Sequence, residues 1–352
     1  MTDERRPTDP AQVLAHEALL TITDLVKTFP AHGGPVRAVD GVSLRIAPGE
    51  TFGLVGESGS GKTTLARCVL RFHRPDSGSI SFAGHDIAAL SEREMRRLRA
   101  RIQVVFQHPH GSLNRRREVS DIIAAPLVAH RVGSRDERAA RVRELLDLVQ
   151  LPAAIARRRP RELSGGQAQR VAIARALALR PDFVVLDEAV SALDVSVRAQ
   201  ILNLLAELQR ELGLTYLFIS HDLAVVRYVA QQVGVMYRGR LVEMTSREEL
   251  FGAPQHPYTR MLLDAVPVAQ PQRQREKMAV AAAGSDAVEV TPTTGCRFRP
   301  RCPVGRSDAR CESVDPALHT PPGTATLVAC HYPGRSAEVT RHRSPQSFME
   351  TR

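Results

Sequence analysis

Short apolar runs alternate with polar turns and amphipathic stretches along most of the chain. Residues 51–55, 183–186 and 215–219 are almost wholly apolar, which is typical of strands buried on both faces of a sheet. Residues 36–46 alternate apolar and polar positions, which predicts a half-buried strand. Residues 233–237 and 241–244 predict a hairpin.

Helical spacing fills the intervals between these strands. The predicted helices cover residues 64–70, 91–101, 121–128, 135–149 and 197–212. Buried strands that alternate with helices predict an α/β fold with a mostly parallel sheet.

A glycine-rich loop joins the strand at 51–55 to the helix at 64–70. It consists of Gly56, Glu57, Ser58, Gly59, Ser60, Gly61, Lys62 and Thr63, followed by Thr64. This is the phosphate-binding pattern G-x-x-x-x-G-K-[ST] in the strand–loop–helix context that it requires. Its N–H groups and the helix N-terminus attract phosphate, Lys62 supplies a charge for the β- and γ-phosphates, and Thr63 is placed to bind Mg²⁺. The sequence therefore predicts a nucleotide-binding protein.

The amino-acid composition limits the class of protein, its location and its partners. Apolar residues make up 43% of the chain and charged residues 24%, as in ordinary globular proteins. No apolar run is long enough to span a bilayer, and the first residues lack a signal-peptide core, so we expect a cytoplasmic chain. The net charge of +10 comes mainly from scattered arginines, and aromatic residues are few, which favours a solvated surface or an acidic partner over nucleic acid.

Two further segments carry candidate chemistry. The strand at 183–186 ends in Asp187 and Glu188, where ligands bind in an open α/β sheet. Asp187 fits a second contact to Mg²⁺, and Glu188 fits a base that activates water. Ser164 precedes Gly165 and Gly166 and is predicted to cap a helix whose N–H groups remain open to an anion.

The ordered set of motifs resembles the ABC-type ATPases. It comprises the phosphate loop, Gln107 after a strand, Leu163–Gln167, Asp187–Glu188, Ser191–Asp194 and Ser220–Asp222. The resemblance covers residues 19–267. It implies a RecA-like, mostly parallel sheet core, an antiparallel β subdomain and a helical subdomain at about 108–180.

The resemblance also implies roles for single residues. Phe29 would stack on adenine, Gln107 would touch Mg²⁺ and the attacking water, and His221 would hydrogen-bond the γ-phosphate and orient Glu188. Ser164, Gly165, Gly166 and Gln167 would contact ATP bound to an opposite subunit, and Asp194 would cross the dimer interface. ATP and Mg²⁺ are the implied cofactors.

Three segments are most similar to the second of the two paired ATPases of dipeptide/oligopeptide importers. They are residues 106–114, residues 191–200 and His256-Pro257-Tyr258-Thr259, the last of which also fits a plain turn. The implied partners are a paired homologous ATPase, two transmembrane permease subunits and an extracytoplasmic solute-binding protein, with no nucleic acid. The implied location is the cytoplasmic face of the plasma membrane. Ala189, where the family usually has Pro, and Arg115, in place of Pro in its Asn-Pro-Arg, depart from the pattern.

Four cysteines lie near the C-terminus, namely Cys296, Cys302, Cys311 and Cys330. A disulfide framework is not expected in a cytoplasmic chain, and the spacings fit neither common zinc-finger arrangement. We expect a [4Fe–4S] cluster, as in some members of the family, with zinc or unliganded thiols as alternatives.

These features predict five segments. A disordered leader covers residues 1–17, the ATPase domain 18–266, a linker 267–294, the four-cysteine module 295–335 and a disordered tail 336–352. The predicted function is an ATP-hydrolysing subunit that powers peptide import. The alternative is a soluble ABC ATPase that acts on nucleic acid or ribosomes. The imported solute stays open between dipeptides, longer peptides, glutathione and nickel chelates.

Overall fold

A computed structural model describes residues 18–31, 34–265 and 294–335. The predicted leader, the predicted linker up to residue 293 and the predicted tail lie outside the described residues. The described backbone forms two compact units. The first holds the residues up to Gly53 together with Lys62–Ser220, and the second holds Leu54–Gly61 together with the residues from His221 onward.

The first unit contains a four-stranded antiparallel sheet. Its strands are β1 (Leu20–Phe29), β2 (Val36–Ile46), β4 (Ser77–Phe82) and β5 (His85–Asp86), in the order β2-β1-β4-β5. Leu20 pairs with Ile46 and Ile22 with Leu44, and all four side chains are buried. Because side chains alternate between the two faces of a strand, this register places the apolar set of both strands on one side. The antiparallel β subdomain is confirmed.

Three parallel strands also belong to the first unit. They are β6 (Ile102–Val105), β7 (Phe183–Asp187) and β8 (Thr215–Ser220), with Ile102 opposite Phe183 and Phe183 opposite Thr215. The apolar residues of β7 are all buried, as expected for a strand covered on both faces. The strand β3 (Thr51–Val55) supplies residues to both units.

The helices of the first unit follow the predicted spacing closely. They are α1 (Lys62–Val69), α2 (Glu92–Leu98), α3 (Pro109–Ser112), α4 (Val119–Ala129), α5 (Arg135–Leu148), α6 (Gly165–Leu177) and α7 (Val195–Leu212), with short 3₁₀ helices at Ala153–Arg157 and Pro160–Glu162. Ser91, Ser134 and Ser164 each form a capping box at a helix start. Gly213 ends α7 in the left-handed conformation, which spares a side chain the strain of that backbone.

The second unit is built on an antiparallel hairpin. Its elements are α8 (Leu223–Val229), β9 (Gln232–Tyr237), β10 (Arg240–Ser246), α9 (Arg247–Gly252), α10 (Pro257–Ala265), a 3₁₀ helix at Arg299–Arg301, α11 (Ala309–Ser313) and β11 (Leu327–Val328). β9 pairs with β10, which confirms the predicted hairpin, and β10 also pairs with β11. Within the three ranges that the structure covers, no helix is both long and apolar enough to cross a bilayer.

Candidate functional site

The phosphate loop connects β3 to the first turn of α1. Gly56 has φ +152°, and a Cβ at this position would lie 2.2 Å from the carbonyl oxygen of Met236 and 2.8 Å from Ser60 Oγ. Only glycine therefore allows the loop to run this close to β9. Lys62, the first residue of α1, is buried, so its charge is held within the fold rather than in open solvent.

Thr63 and Asp187 are in contact. The Thr63 hydroxyl donates to Asp187 Oδ1 at 3.3 Å. Burial raises the pKa of Asp187, and the hydrogen bond from Thr63 offsets part of that rise. A hydroxyl and a carboxylate side by side are the hard oxygen donors that Mg²⁺ prefers, so this pair fits the predicted magnesium ligands.

Glu188 and Gln107 form a second contact between predicted site residues. Gln107 follows β6, and its Nε2 donates to Glu188 Oε2 at 2.7 Å. Glu188 has φ +50°, an uncommon left-handed backbone for a non-glycine residue, and its N–H donates to the Ile219 carbonyl at 3.0 Å. The strand end and the amide of Gln107 together fix the position of this carboxylate.

The Ser164 segment forms the predicted helix start. The Gln167 N–H donates to Ser164 Oγ at 3.3 Å, and the Ser164 N–H donates to Gln167 Oε1 at 3.1 Å. A Cβ on Gly166 would lie 2.6 Å from a methyl group of Val197, so the start of α6 packs closely beside α7. The predicted cap is confirmed, whereas contact with ATP of an opposite subunit stays a prediction.

Three other predicted site residues are Phe29, Asp194 and His221. The Phe29 ring, at the end of β1, packs edge-on against His73 with centroids 5.3 Å apart. Asp194 is exposed at the start of α7 and makes no capping hydrogen bond through its side chain. His221 comes directly after β8, which ends at Ser220, and belongs to the second unit. Their proposed contacts with adenine, the partner and the γ-phosphate stay predictions.

Sequence reasoning missed a set of contacts to Glu57. The guanidinium of Arg301 binds both carboxylate oxygens of Glu57. The backbone N–H of Glu57 donates to the hydroxyl of Tyr258. The segment His256-Pro257-Tyr258-Thr259 was the available signal. It starts α10 with Pro257 at the first helical position, a common place for proline, rather than forming a plain turn.

The four C-terminal cysteines line one small cavity, together with residues such as Gly305 and Tyr332. Burial is the main cause that raises the pKa of all four thiols, to about 11 for Cys311 and about 12 for Cys330. In the part of the chain that the structure describes, no group of three or more His, Cys, Asp or Glu is arranged to hold a metal ion. The predicted [4Fe–4S] cluster or zinc site is therefore not supported by the described residues.

Comparisons with known proteins agree with the fold and the motif order. A family described as "ABC transporter" matches residues 39–191, and one described as "Oligopeptide/dipeptide transporter, C-terminal region" matches residues 242–311. A "Putative peptide import ATP-binding protein" of Brucella ovis is 48% identical over 305 residues, which is 87% of this chain and 95% of the relative. The "Oligopeptide transport ATP-binding protein AppF" of Bacillus subtilis is 45% identical over 323 residues, which is 90% of this chain and 97% of the relative.

Solved structures show the same architecture. The structure titled "Dimeric structure of a post-hydrolysis state of the ATP-binding cassette MJ0796 bound to ADP and Pi" matches with a TM-score of 0.60 at 30% identity, over 65% of this chain and 98% of that one. The structure titled "Structure of cbiO1 from clostridium perfringens: Part of the ABC transporter complex cbiONQ" matches with a TM-score of 0.61 at 30% identity, over 67% of this chain and 91% of that one.

Fold and motifs define a phosphate-loop ATPase of the ATP-binding cassette type. The chain belongs to the ABC transporter family of ATP-binding proteins and carries the C-terminal region of its oligopeptide/dipeptide branch. These relatives do not favour the alternative of a soluble ATPase that acts on nucleic acid or ribosomes.

Proposed function

We propose that this protein is the ATP-hydrolysing subunit that powers uptake of peptides through an ABC permease. The observation that carries the proposal is the pairing at the end of β6 and β7. There Asp187 contacts the phosphate-loop threonine, and the adjacent Glu188 contacts Gln107. The names of the relatives, which refer to peptide import and oligopeptide transport, support the choice of cargo.

The chemistry follows from charge and position. Lys62 and the loop N–H groups would bind the phosphates of ATP, and Thr63 and Asp187 would hold Mg²⁺, which neutralises phosphate charge when it is bound. Glu188 is the general base for the attacking water, and Gln107 orients its carboxylate through one oxygen. His221 would hydrogen-bond the γ-phosphate, and Phe29 would stack on adenine.

The proposed importer has four further subunits. A paired homologous ATPase would place Ser164, Gly165 and Gly166 of each chain against ATP held by the other, with Asp194 at the interface. Two transmembrane permease subunits and an extracytoplasmic solute-binding protein would complete the importer at the cytoplasmic face of the membrane. Closing around ATP excludes water from the phosphates, and hydrolysis reopens the pair and drives the permease.

Reconstitution tests this function. The chain, its paired ATPase and its permease subunits are placed in proteoliposomes with the binding protein, ATP and a labelled peptide. We expect ATP turnover that increases with peptide and uptake that stops with a non-hydrolysable analogue. ATP turnover without peptide uptake, or co-purification with ribosomes or nucleic acid in place of permease subunits, would contradict the proposal.

A metal in the four-cysteine module is a separate proposal. We infer that a [4Fe–4S] cluster, or else zinc, occupies the cysteine-lined cavity when the protein is made with metal available. Two sulfur atoms accept backbone hydrogen bonds, since Gly305 N–H lies 3.2 Å from Cys302 Sγ and Tyr332 N–H lies 3.4 Å from Cys330 Sγ. Such donors stabilise thiolate ligands of clusters. Iron, sulfide and zinc analysis of anaerobically purified protein tests this, and a metal-free sample that hydrolyses ATP normally would contradict it.

A further inference from the structure

Glu57, the second residue of the phosphate loop, is held by the C-terminal part of the chain. Arg301 Nη1 lies 2.8 Å from Glu57 Oε2, and Arg301 Nη2 lies 2.8 Å from Glu57 Oε1. Two parallel N–H···O bonds of this kind fix both the position and the plane of the carboxylate.

Arg301 is itself held in place by its own surroundings. It ends the 3₁₀ helix Arg299–Arg301, directly before Cys302 of the four-cysteine module. Its guanidinium carbon lies 6.0 Å from the centre of the Phe298 ring, and its Nη2 lies 3.6 Å from Met261 Sδ. The side chain is 29% exposed, less than the 40% of Glu57, so the cation is the more constrained partner.

The backbone of the loop is anchored to the same unit. The Glu57 N–H donates to the Tyr258 hydroxyl at 2.9 Å, and the Gly239 N–H donates to the Ser60 carbonyl at 2.9 Å. Tyr258 is fully buried, and its ring centre lies 4.6 Å from that of Tyr237 and 5.4 Å from that of Phe298. The loop therefore rests on a packed aromatic cluster formed by Tyr237, Tyr258 and Phe298.

The start of α10 is fixed in turn by a buried carboxylate. Glu243 on β10 accepts from the N–H groups of Gln255 and His256 at 2.7 and 2.9 Å. His256 Nδ1 then accepts from the Tyr258 N–H at 3.0 Å. Each link from β10 to the loop is thus a directed hydrogen bond rather than a loose contact.

An acidic residue in a phosphate loop has a clear electrostatic consequence. A carboxylate left unpaired there would repel the anionic phosphates of ATP, and the repulsion would be strong because the site excludes part of the solvent. A guanidinium that binds both oxygens cancels most of this charge and also prevents the carboxylate from rotating freely.

We propose that Arg301 is a positioning residue of the ATP site, which neutralises and orients Glu57 and so makes nucleotide affinity depend on the four-cysteine module. The proposal rests on the ATPase function proposed above. It assigns to the C-terminal extension a direct effect on ATP binding by the same chain.

A double-mutant cycle on the full-length chain tests it, with a fluorescent ATP analogue for the dissociation constant and phosphate release for kcat and KM. We expect Arg301→Gln to weaken ATP binding about three- to tenfold, while kcat changes less than about twofold. Glu57→Gln gives the reference affinity of a loop without the carboxylate. The variant with both changes should bind ATP as Glu57→Gln does, because the repelling carboxylate is gone.

The matched control is Arg299→Gln, two positions earlier in the same 3₁₀ helix. Arg299 pairs with Glu312 at 3.6 Å and does not bind the loop. Its affinity for ATP should equal that of the wild type. Arg301→Lys keeps the charge and loses the two-fold bonding, so an intermediate affinity is expected even if Arg301→Gln folds poorly.

Salt separates this electrostatic role from a purely structural one. Raising the ionic strength screens a repelling carboxylate, so the difference between Arg301→Gln and wild type should shrink between 0.05 and 0.5 M salt, since the Debye length falls from above 10 Å to a few Å. An unchanged difference, or a double variant that binds as weakly as Arg301→Gln, overturns the proposal. A wild type that hydrolyses no ATP would overturn the proposed function instead.

Discussion

Two regions of the molecule hold their predicted site residues in different ways. In the first unit, the ends of parallel strands bring together Asp187, Glu188 and their polar partners over short distances. In the second unit, a buried aromatic cluster and one guanidinium hold the loop residue Glu57 from positions far along the chain. The first region holds the proposed reacting groups, and the second holds the backbone of the predicted phosphate loop.

Residues of the two regions should affect different measured quantities. Groups at a strand end act on the reaction itself, so their loss should change kcat. Groups that hold the loop act on its conformation and charge, so their loss should change affinity and stability. Substitutions in the two regions can therefore be compared by which quantity they alter.

The largest effect is expected at Glu188. Glu188→Gln keeps the size of the side chain and removes the proposed base, so kcat for ATP hydrolysis should fall by about 10²- to 10⁴-fold. ATP affinity should change little, because the carboxylate is not part of the loop. Phosphate release and equilibrium binding of ATP measure the two quantities. The exposed Glu144→Gln serves as the control, and near-normal turnover in Glu188→Gln would remove Glu188 from the mechanism.

A smaller effect is expected at Gly56, in the loop region. In Gly56→Ala, the new methyl group would meet the Met236 carbonyl at 2.2 Å with a backbone at φ +152°, so the loop must shift. Strain of this kind costs about 1–3 kcal/mol, and ATP binding should weaken by about tenfold or more. Thermal unfolding and nucleotide titration report the change.

The control for that change is Gly252→Ala at the end of α9. Apart from its chain neighbours and the backbone of its own helix, no atom lies within 4 Å of a Cβ built there, so both stability and affinity should stay close to wild type. Equal losses in the two alanine variants would show that the close approach to β9 has no importance.

The smallest effect is a dependence of stability on pH that comes from His256. Full burial lowers its pKa to about 3, against 6.5 for an exposed imidazole. Between these values the unfolded chain binds a proton that the folded chain does not, so the free energy of unfolding falls as the pH falls. At pH 5 the loss is about 2 kcal/mol, and it is absent above about pH 7.

The comparison variant is His256→Asn, whose oxygen can still accept from the Tyr258 N–H. Its unfolding free energy should fall less than that of wild type between pH 7 and pH 5, as measured by denaturant titration. Burial raises the pKa of Glu243 in both proteins, and this opposing trend cancels in the difference. Parallel pH profiles would show that the imidazole has no such role.

Sequence patterns predicted those parts of the fold that are determined by interactions between residues close in sequence. The strand, glycine loop and helix from Thr51 to Val69 follow from composition and spacing, and so does the cap at Ser164. The hairpin of β9 and β10 follows from two apolar runs around Arg238 and Gly239. In these cases the residues that interact are close in sequence.

The remaining features depend on contacts that no local pattern encodes. Arg301 and Glu57 are 244 positions apart, and neither residue is unusual in its own segment. The left-handed backbone of Glu188 follows from the packing of β7 beside β8, where its N–H donates to Ile219. The cysteines could be predicted to gather, yet their count and spacing do not determine the geometry of their sulfur atoms.

The aromatic cluster has a practical consequence for anyone who designs a shortened ATPase fragment. A boundary chosen before residue 294 would keep every sequence motif of the ABC class but delete Phe298, which is almost wholly buried against Tyr237 and Tyr258. The uncovered rings would favour aggregation, and the fragment would yield misleadingly weak nucleotide binding. A shortened chain intended for assays should therefore retain the extension through Tyr332.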